Sequence, residues 1–169
     1  MADLNSSPQW TTATAGIISR LKEGVTFVLH GMNGNGKTQC AVTALKANCA
    51  GGYASRYYRA RDINNYLLDM QQDGHRCRAI NTLVSPSLLV IDEWEKRFNT
   101  EYSQESLSLV IDKRYGAMKS TIIISNLKAD KLVEVLGSSV VDRIKETGGL
   151  IEFTWPSFRG QNTGGNNES

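Results

Sequence analysis

Short apolar runs alternate with longer amphipathic stretches along this chain. The runs at residues 25–30 (VTFVLH), 55–60, 87–91 (SLLVI), 120–125 (STIIIS) and 150–154 are strand-like. Those at 87–91 and 120–125 are almost wholly apolar, as a strand buried on both faces of a parallel sheet is. Between the runs the spacing becomes helical. Residues 37–48 place Ala41, Val42, Ala44 and Leu45 on one face, and Gly51-Gly52 ends that helix. Asp62 is positioned to cap a helix that begins with Ile63. Residues 101–117 read as a helix with Leu107, Val110 and Ile111 inward, and 130–136 and 138–145 follow it. A further helix is expected over 11–22. This alternation predicts an α/β fold with about five strands in a mostly parallel sheet. Residues 1–24 read as an N-terminal lead-in, 25–159 as the folded domain, and the polar, glycine-rich 160–169 as a disordered tail.

Candidate chemistry begins where the first run ends. Gly31-Met32-Asn33-Gly34-Asn35-Gly36-Lys37-Thr38 fits G-x-x-x-x-G-K-[ST] without exception, between a predicted strand and a predicted helix. Glycines there let consecutive amides point inward and, with the helix start, form a nest for phosphate oxygens. Lys37 supplies a point charge for the β- and γ-phosphates, and the Thr38 hydroxyl is a ligand for Mg²⁺. These eight residues and Gln39 behind them are the expected contacts of ATP.

Two later strands end in polar groups. Asp92 and Glu93 follow Leu88-Leu89-Val90-Ile91, at the end of a parallel strand where such folds place their chemistry. Asp92 is expected behind the Mg²⁺ on Thr38, and Glu93 is suited to orient or deprotonate an attacking water. Asn126 follows Ile122-Ile123-Ile124-Ser125, and can reach the γ-phosphate or that water from the next strand.

These residues, with Val140-Val141-Asp142-Arg143-Ile144 and Phe153-Thr154-Trp155-Pro156-Ser157-Phe158-Arg159, resemble the AAA+ domain of DnaC-type replicative helicase loaders, close to the IstB-type transposition ATPases. The resemblance runs from about residue 25 to 159, and its C-terminal pair of motifs is what points to this clade. It implies a three-layer P-loop NTPase fold of the AAA+ type, without a C-terminal helical lid. It also implies an arginine finger at Arg143, acting on a neighbouring subunit's nucleotide, and a γ-phosphate contact by Arg159 in its own subunit. Partners then follow: further copies in a ring or open spiral, a replicative helicase, and single-stranded DNA. Helicase loaders usually carry an additional N-terminal domain, whereas here the lead-in offers Trp10 as its one large anchor. Other readings are a transposition regulator, an ATP-responsive adaptor, or a small-molecule kinase. A kinase needs an arginine-rich lid, and no such segment is evident.

Composition adds constraints. The 169 residues suit one domain, and the net charge of +2 makes no global case for nucleic acid. Local candidates are Arg56, Arg59, Arg61, Lys46, His75, Arg76 and Arg78, interleaved with Tyr57, Tyr58 and Tyr66 as stacking platforms. Cys40, Cys49 and Cys77 lack metal-ligand spacing and read as reduced thiols. No apolar run is long enough to span a membrane and no signal peptide is evident, so a cytoplasmic protein is expected.

Overall fold

Five strands form one sheet in the order β2-β3-β4-β1-β5, and every pairing is parallel. The structure is a computed structural model and describes residues 7–96 and 101–158. The strands are β1 (Thr26–His30), β2 (Ser55–Arg59), β3 (Leu88–Asp92), β4 (Ser120–Ile124) and β5 (Gly149–Glu152). The three inner strands, β3, β4 and β1, are buried along their whole length. Helices cover both of their faces, which is why their central residues are apolar without alternation.

The pleat divides the core in two. Phe27, Leu29, Leu88, Val90, Ile122 and Ile124 face α1 (Pro8–Arg20) and α2 (Lys37–Ala50). Val28, Leu89, Ile91 and Ile123 face the other layer. That layer is α3 (Ala60–Gln72), α4 (Arg76–Val84), α5 (Glu101–Gly116), α6 (Ala129–Leu136) and α7 (Ser138–Thr147). The result is a three-layer α/β architecture with the sheet between two helical layers, as the family resemblance implies.

Several element boundaries differ from the sequence expectation. Helix α1 begins at Pro8 rather than residue 11, because Ser7 accepts from the Trp10 amide and Pro8 needs no donor in the first turn. Asp62 does not cap α3; the helix begins at Ala60 and Asp62 lies in its first turn, near the positive end of the helix dipole. Helix α4 was not expected, since its inward residues Ala79, Ile80 and Leu83 are few and flanked by charge.

One buried ion ties this layer to the sheet. Arg114, fully buried in the last turns of α5, has no carboxylate among its hydrogen-bond acceptors. It donates to the carbonyls of Leu83 (2.9 Å), Val84 (3.2 Å), Pro86 (2.9 Å), Ser87 (3.4 Å) and Ser120 (2.5 Å), and to Thr121 Oγ1 (2.9 Å). Burial lowers its pKa to about 9, which leaves it charged at neutral pH. One guanidinium thus joins the end of α4 to the starts of β3 and β4.

Candidate nucleotide site

β1 delivers the chain to the loop at the carboxyl edge of the sheet. Gly36 is in the left-handed conformation (φ 82°) immediately before α2, where a side chain would be strained. Gly31 is held for a different reason: a Cβ there would stand 2.6 Å from the Phe153 carbonyl oxygen. Lys37 is buried and folds back over the loop, its Nζ donating to the carbonyls of Gly31 (2.8 Å) and Met32 (2.6 Å). Asn33 and Met32 are exposed at the rim, as are Thr38 and Gln39 in the first turn of α2.

The outward side of the loop is braced from both ends of the chain. The Trp10 indole on α1 donates to the Gly36 carbonyl at 3.1 Å. The Trp155 indole donates to the adjacent Asn35 carbonyl at 2.8 Å. Asn35 returns two bonds through Nδ2, to the carbonyls of Phe153 (2.8 Å) and Trp155 (2.7 Å). The Phe158 amide reaches the Gly34 carbonyl at 3.0 Å. The segment that marked the family resemblance therefore makes direct contact with the phosphate loop. Sequence reasoning gave it no such task.

The acidic strand meets the loop through Thr38, whose hydroxyl donates to Asp92 Oδ2 at 2.9 Å. Tyr57 on β2 donates to the same oxygen at 2.5 Å, and the Glu93 amide donates to Asp92 Oδ1 at 2.7 Å. Burial and the Asp92 carboxylate both push the Tyr57 pKa up, so the phenol keeps its proton. Glu93 has a positive φ of 54° and pairs with Lys96 at 2.8 Å. It opens onto a cleft also lined by Arg59, Arg61, Asp62 and Asn65.

Strand β4 lies between β1 and β3. Asn126, just past its end, is thereby set between the strand of the loop and that of the acids. Its amide Nδ2 donates to Glu95 Oε1 at 2.8 Å. Glu95 was not singled out in the sequence, and neither were Lys96 nor the task of Tyr57. Strand register would have exposed Tyr57, because it pairs with Val90, two residues before Asp92 on the same face. Register is not readable from one sequence.

Arg143 lies apart from this cluster. It interacts with Asp112 (3.4 Å) and Glu146 (3.6 Å) and stacks its guanidinium 4.3 Å from the Tyr115 ring centroid. Asp112 and Tyr115 are in the last turns of α5, which returns the chain to the amino edge of β4. Arg143 is thus toward the edge of the sheet opposite the loop. Arg159 and the segment 160–169 lie outside the described residues.

The basic candidates do not form one groove with free aromatics. Lys46 is on α2, across the sheet from His75, Arg76 and Arg78 on and beside α4. Arg76 sits over the Tyr102 ring, while Tyr58 and Tyr66 pack against the core. Arg59 and Arg61 remain together at the mouth of the Glu93 cleft. No group of three metal-ligating His, Cys, Asp or Glu side chains occurs among the described residues, and no described helix is long and apolar enough to cross a membrane.

The donor set fits a magnesium nucleotide. A left-handed glycine before a helix, a buried ammonium and a hydroxyl–carboxylate pair suit a polyphosphate with a hard cation. Comparison with known proteins supports the nucleotide, as ATP. The family model described as "IstB-like ATP binding protein" matches residues 7–164. The replicative helicase loader DnaC of Escherichia coli K12 is 25% identical over 141 residues, 82% of this chain and 58% of that protein. The uncharacterized protein YdaV of the same strain is 27% identical over 146 residues, 85% of this chain and 59% of that protein. The chain thus spans somewhat over half the length of these relatives. Among solved structures, the DnaC helicase loader superposes with a TM-score of 0.75 at 25% identity, covering 85% of this chain and 88% of that one. AMPPCP-bound DnaA from Aquifex aeolicus gives 0.76 at 21% identity over 86% of this chain and 47% of that one, a likeness of fold.

Proposed function

The chain belongs to the family of IstB-like ATP binding proteins, and on that premise we propose that it hydrolyses ATP and assembles head-to-tail to load or remodel a replicative helicase on single-stranded DNA. One observation carries the hydrolytic half: Thr38 and Asp92 touch at 2.9 Å, and the strand that leads to Asn126 lies between β3 and β1, the strand before the loop. A nucleotide in the loop would have its phosphates against Lys37 and the α2 amides. Mg²⁺, when bound, would neutralise charge on the β- and γ-phosphates, and Thr38 with Asp92 are the residues that would hold it. Glu93 accepts the proton of a water whose oxygen attacks the γ-phosphorus, and the bond from that phosphorus to ADP breaks. Asn126 aligns the water or the γ-phosphate. Arg159 is the γ-phosphate contact in this reading, on the strength of the family resemblance of residues 153–159.

Assembly follows from Arg143. The sheet is roughly 16 Å from edge to edge along a five-residue strand, so an arginine at the far edge suits a neighbour's nucleotide better than its own. A head-to-tail contact of that kind closes into a ring or winds into a spiral. Arg59 and Arg61, at the mouth of the Glu93 cleft, are the contacts we favour for a DNA backbone. The family match equally supports a second reading, in which the same ATPase serves a transposase. A cytoplasmic location belongs to either.

Mixing separates these steps. Lys37→Ala should abolish ATP binding, and Arg143→Ala should bind ATP but hydrolyse it slowly. Combined, the two inactive variants should regain activity, because mixed interfaces pair an intact loop with an intact arginine. Absence of recovery, with Arg143→Ala fully active by itself, would sink the trans-acting role. Co-purification with a replicative helicase or with a transposase decides between the partners.

A further inference from the structure

We propose that Glu95 is the positioning residue of the hydrolytic site, fixing the orientation in which Asn126 meets its ligand. This rests on the reading of Asn126 as the γ-phosphate or water contact.

The local fold brings Glu95 there. β3 ends at Asp92, and Glu93 then adopts φ 54°, a left-handed conformation that takes the chain out of the strand. A single 3-10 turn, Trp94–Lys96, follows and is closed by the Lys96 amide on the Glu93 carbonyl at 2.8 Å. Trp94 is buried in the core beneath it, at 2% exposure. With Trp94 as its anchor, the turn places Glu95 across the end of β4. There Oε2 accepts from Ser125 Oγ (2.9 Å) and from the Asn126 amide (3.3 Å), while Oε1 accepts from Asn126 Nδ2 (2.8 Å). Ser125 Oγ in turn accepts from the Leu127 amide at 3.2 Å. The carboxylate of one strand end thus grips the backbone, the preceding hydroxyl and the side chain of the next.

The chemistry of the grip sets a direction. An ionised carboxylate only accepts hydrogen bonds, so it must face the NH₂ end of the Asn126 amide. Asn126 Oδ1 is thereby turned away from Glu95 as an acceptor, and the second Nδ2 proton is held in a fixed plane. Asn126 is exposed, and without Glu95 its amide would be free to flip and to change rotamer. Catalytic contacts lose about 100-fold from misplacement near 1 Å, so loss of an orienting bond on an exposed amide is expected to cost about tenfold.

The test is steady-state ATP hydrolysis by the full chain, with variants Glu95→Ala, Glu95→Gln, Asn126→Ala and the Glu95→Ala/Asn126→Ala double. Glu95→Ala should lower kcat about tenfold with KM for ATP changed less than about twofold. Glu95→Gln keeps an acceptor oxygen and should recover part of the loss. The double variant should be no slower than Asn126→Ala alone, because Glu95 acts through Asn126. Multiplying effects would overturn the inference, as would a slow Asn126→Ala beside a normal Glu95→Ala. An Asn126→Ala variant with unchanged kcat would overturn the sensor reading as well, so the two failures are distinct. Should Glu95→Ala not fold, the Asn126 side-chain NH₂ resonance, identified by its loss in Asn126→Ala, must shift in Glu95→Gln; an unmoved resonance counts against the contact itself.

Discussion

Replacing Arg114 by Met tests how the helical layer is fixed to the sheet. Met fills similar space without charge or donors. The carbonyls of Leu83 and Val84 lie past the last helical bond of α4, because the amides that would continue it, Ser87 and Leu88, donate to Ala54 instead. Arg114 supplies donors to both and to Pro86. Each buried acceptor left unmade costs about 1–3 kcal/mol, so three cost about 3–9 kcal/mol. Against this, removing a buried cation recovers its desolvation cost. The carbonyls stay behind, however, and orphaned partners dominate when only one side of a buried contact is removed. A net loss of about 4 kcal/mol is a large share of the roughly 5–15 kcal/mol that holds a domain together. It corresponds to a fall in Tm of about 8–16 °C for a chain of this size. Thermal and urea unfolding followed by circular dichroism, with coincident probes, measure it. Arg114→Lys, with three donors in place of five, should fall between. A Met variant melting within about 3 °C of the parent would refute the reasoning.

Two further outcomes are expected from the loop and the strand end. Trp155→Phe keeps the ring but removes the donor to the Asn35 carbonyl, and should weaken ATP binding about five- to tenfold, roughly the worth of one hydrogen bond; isothermal titration reads this, and an unchanged Kd would remove the indole from the bracing of the loop. Glu93→Gly should abolish hydrolysis yet melt no lower than the parent, because it relieves a left-handed φ costing about 1–2 kcal/mol; a marked fall in Tm would show that the strain is not real.

Fold class was legible because β1, β3 and β4 are buried on both faces, which writes the apolar runs Phe27-Val28-Leu29, Leu88-Leu89-Val90-Ile91 and Ile122-Ile123-Ile124 without alternation. Helix α4 was hidden because only Ala79, Ile80 and Leu83 turn inward from an exposed, polar surround. In the loop, conformation was legible locally: the left-handed Gly36 before α2 and the Lys37 side chain folded over the loop are what its glycines and lysine suggest. Asp92 and Glu93 were legible from their place at a strand end. Tyr57 was not: its task depends on which residue of β3 stands opposite, which is a fact of register. Glu95 was not either, because its position comes from a single left-handed residue and a buried tryptophan. Both are ordinary polar residues until the third dimension sets them against Asp92 and Asn126.

The bracing of the phosphate loop gives the site an order of construction. Residues 31–38 leave the ribosome well before Phe153, Trp155 and Phe158, which supply bonds to Gly34 and Asn35 across some 120 positions of sequence. A nascent or truncated chain ending before β5 carries the whole motif yet lacks those supports. Those supports are in place only once β5 lies beside β1, so a chain ending before β5 is expected to hold nucleotide more weakly than one that includes residues 149–158.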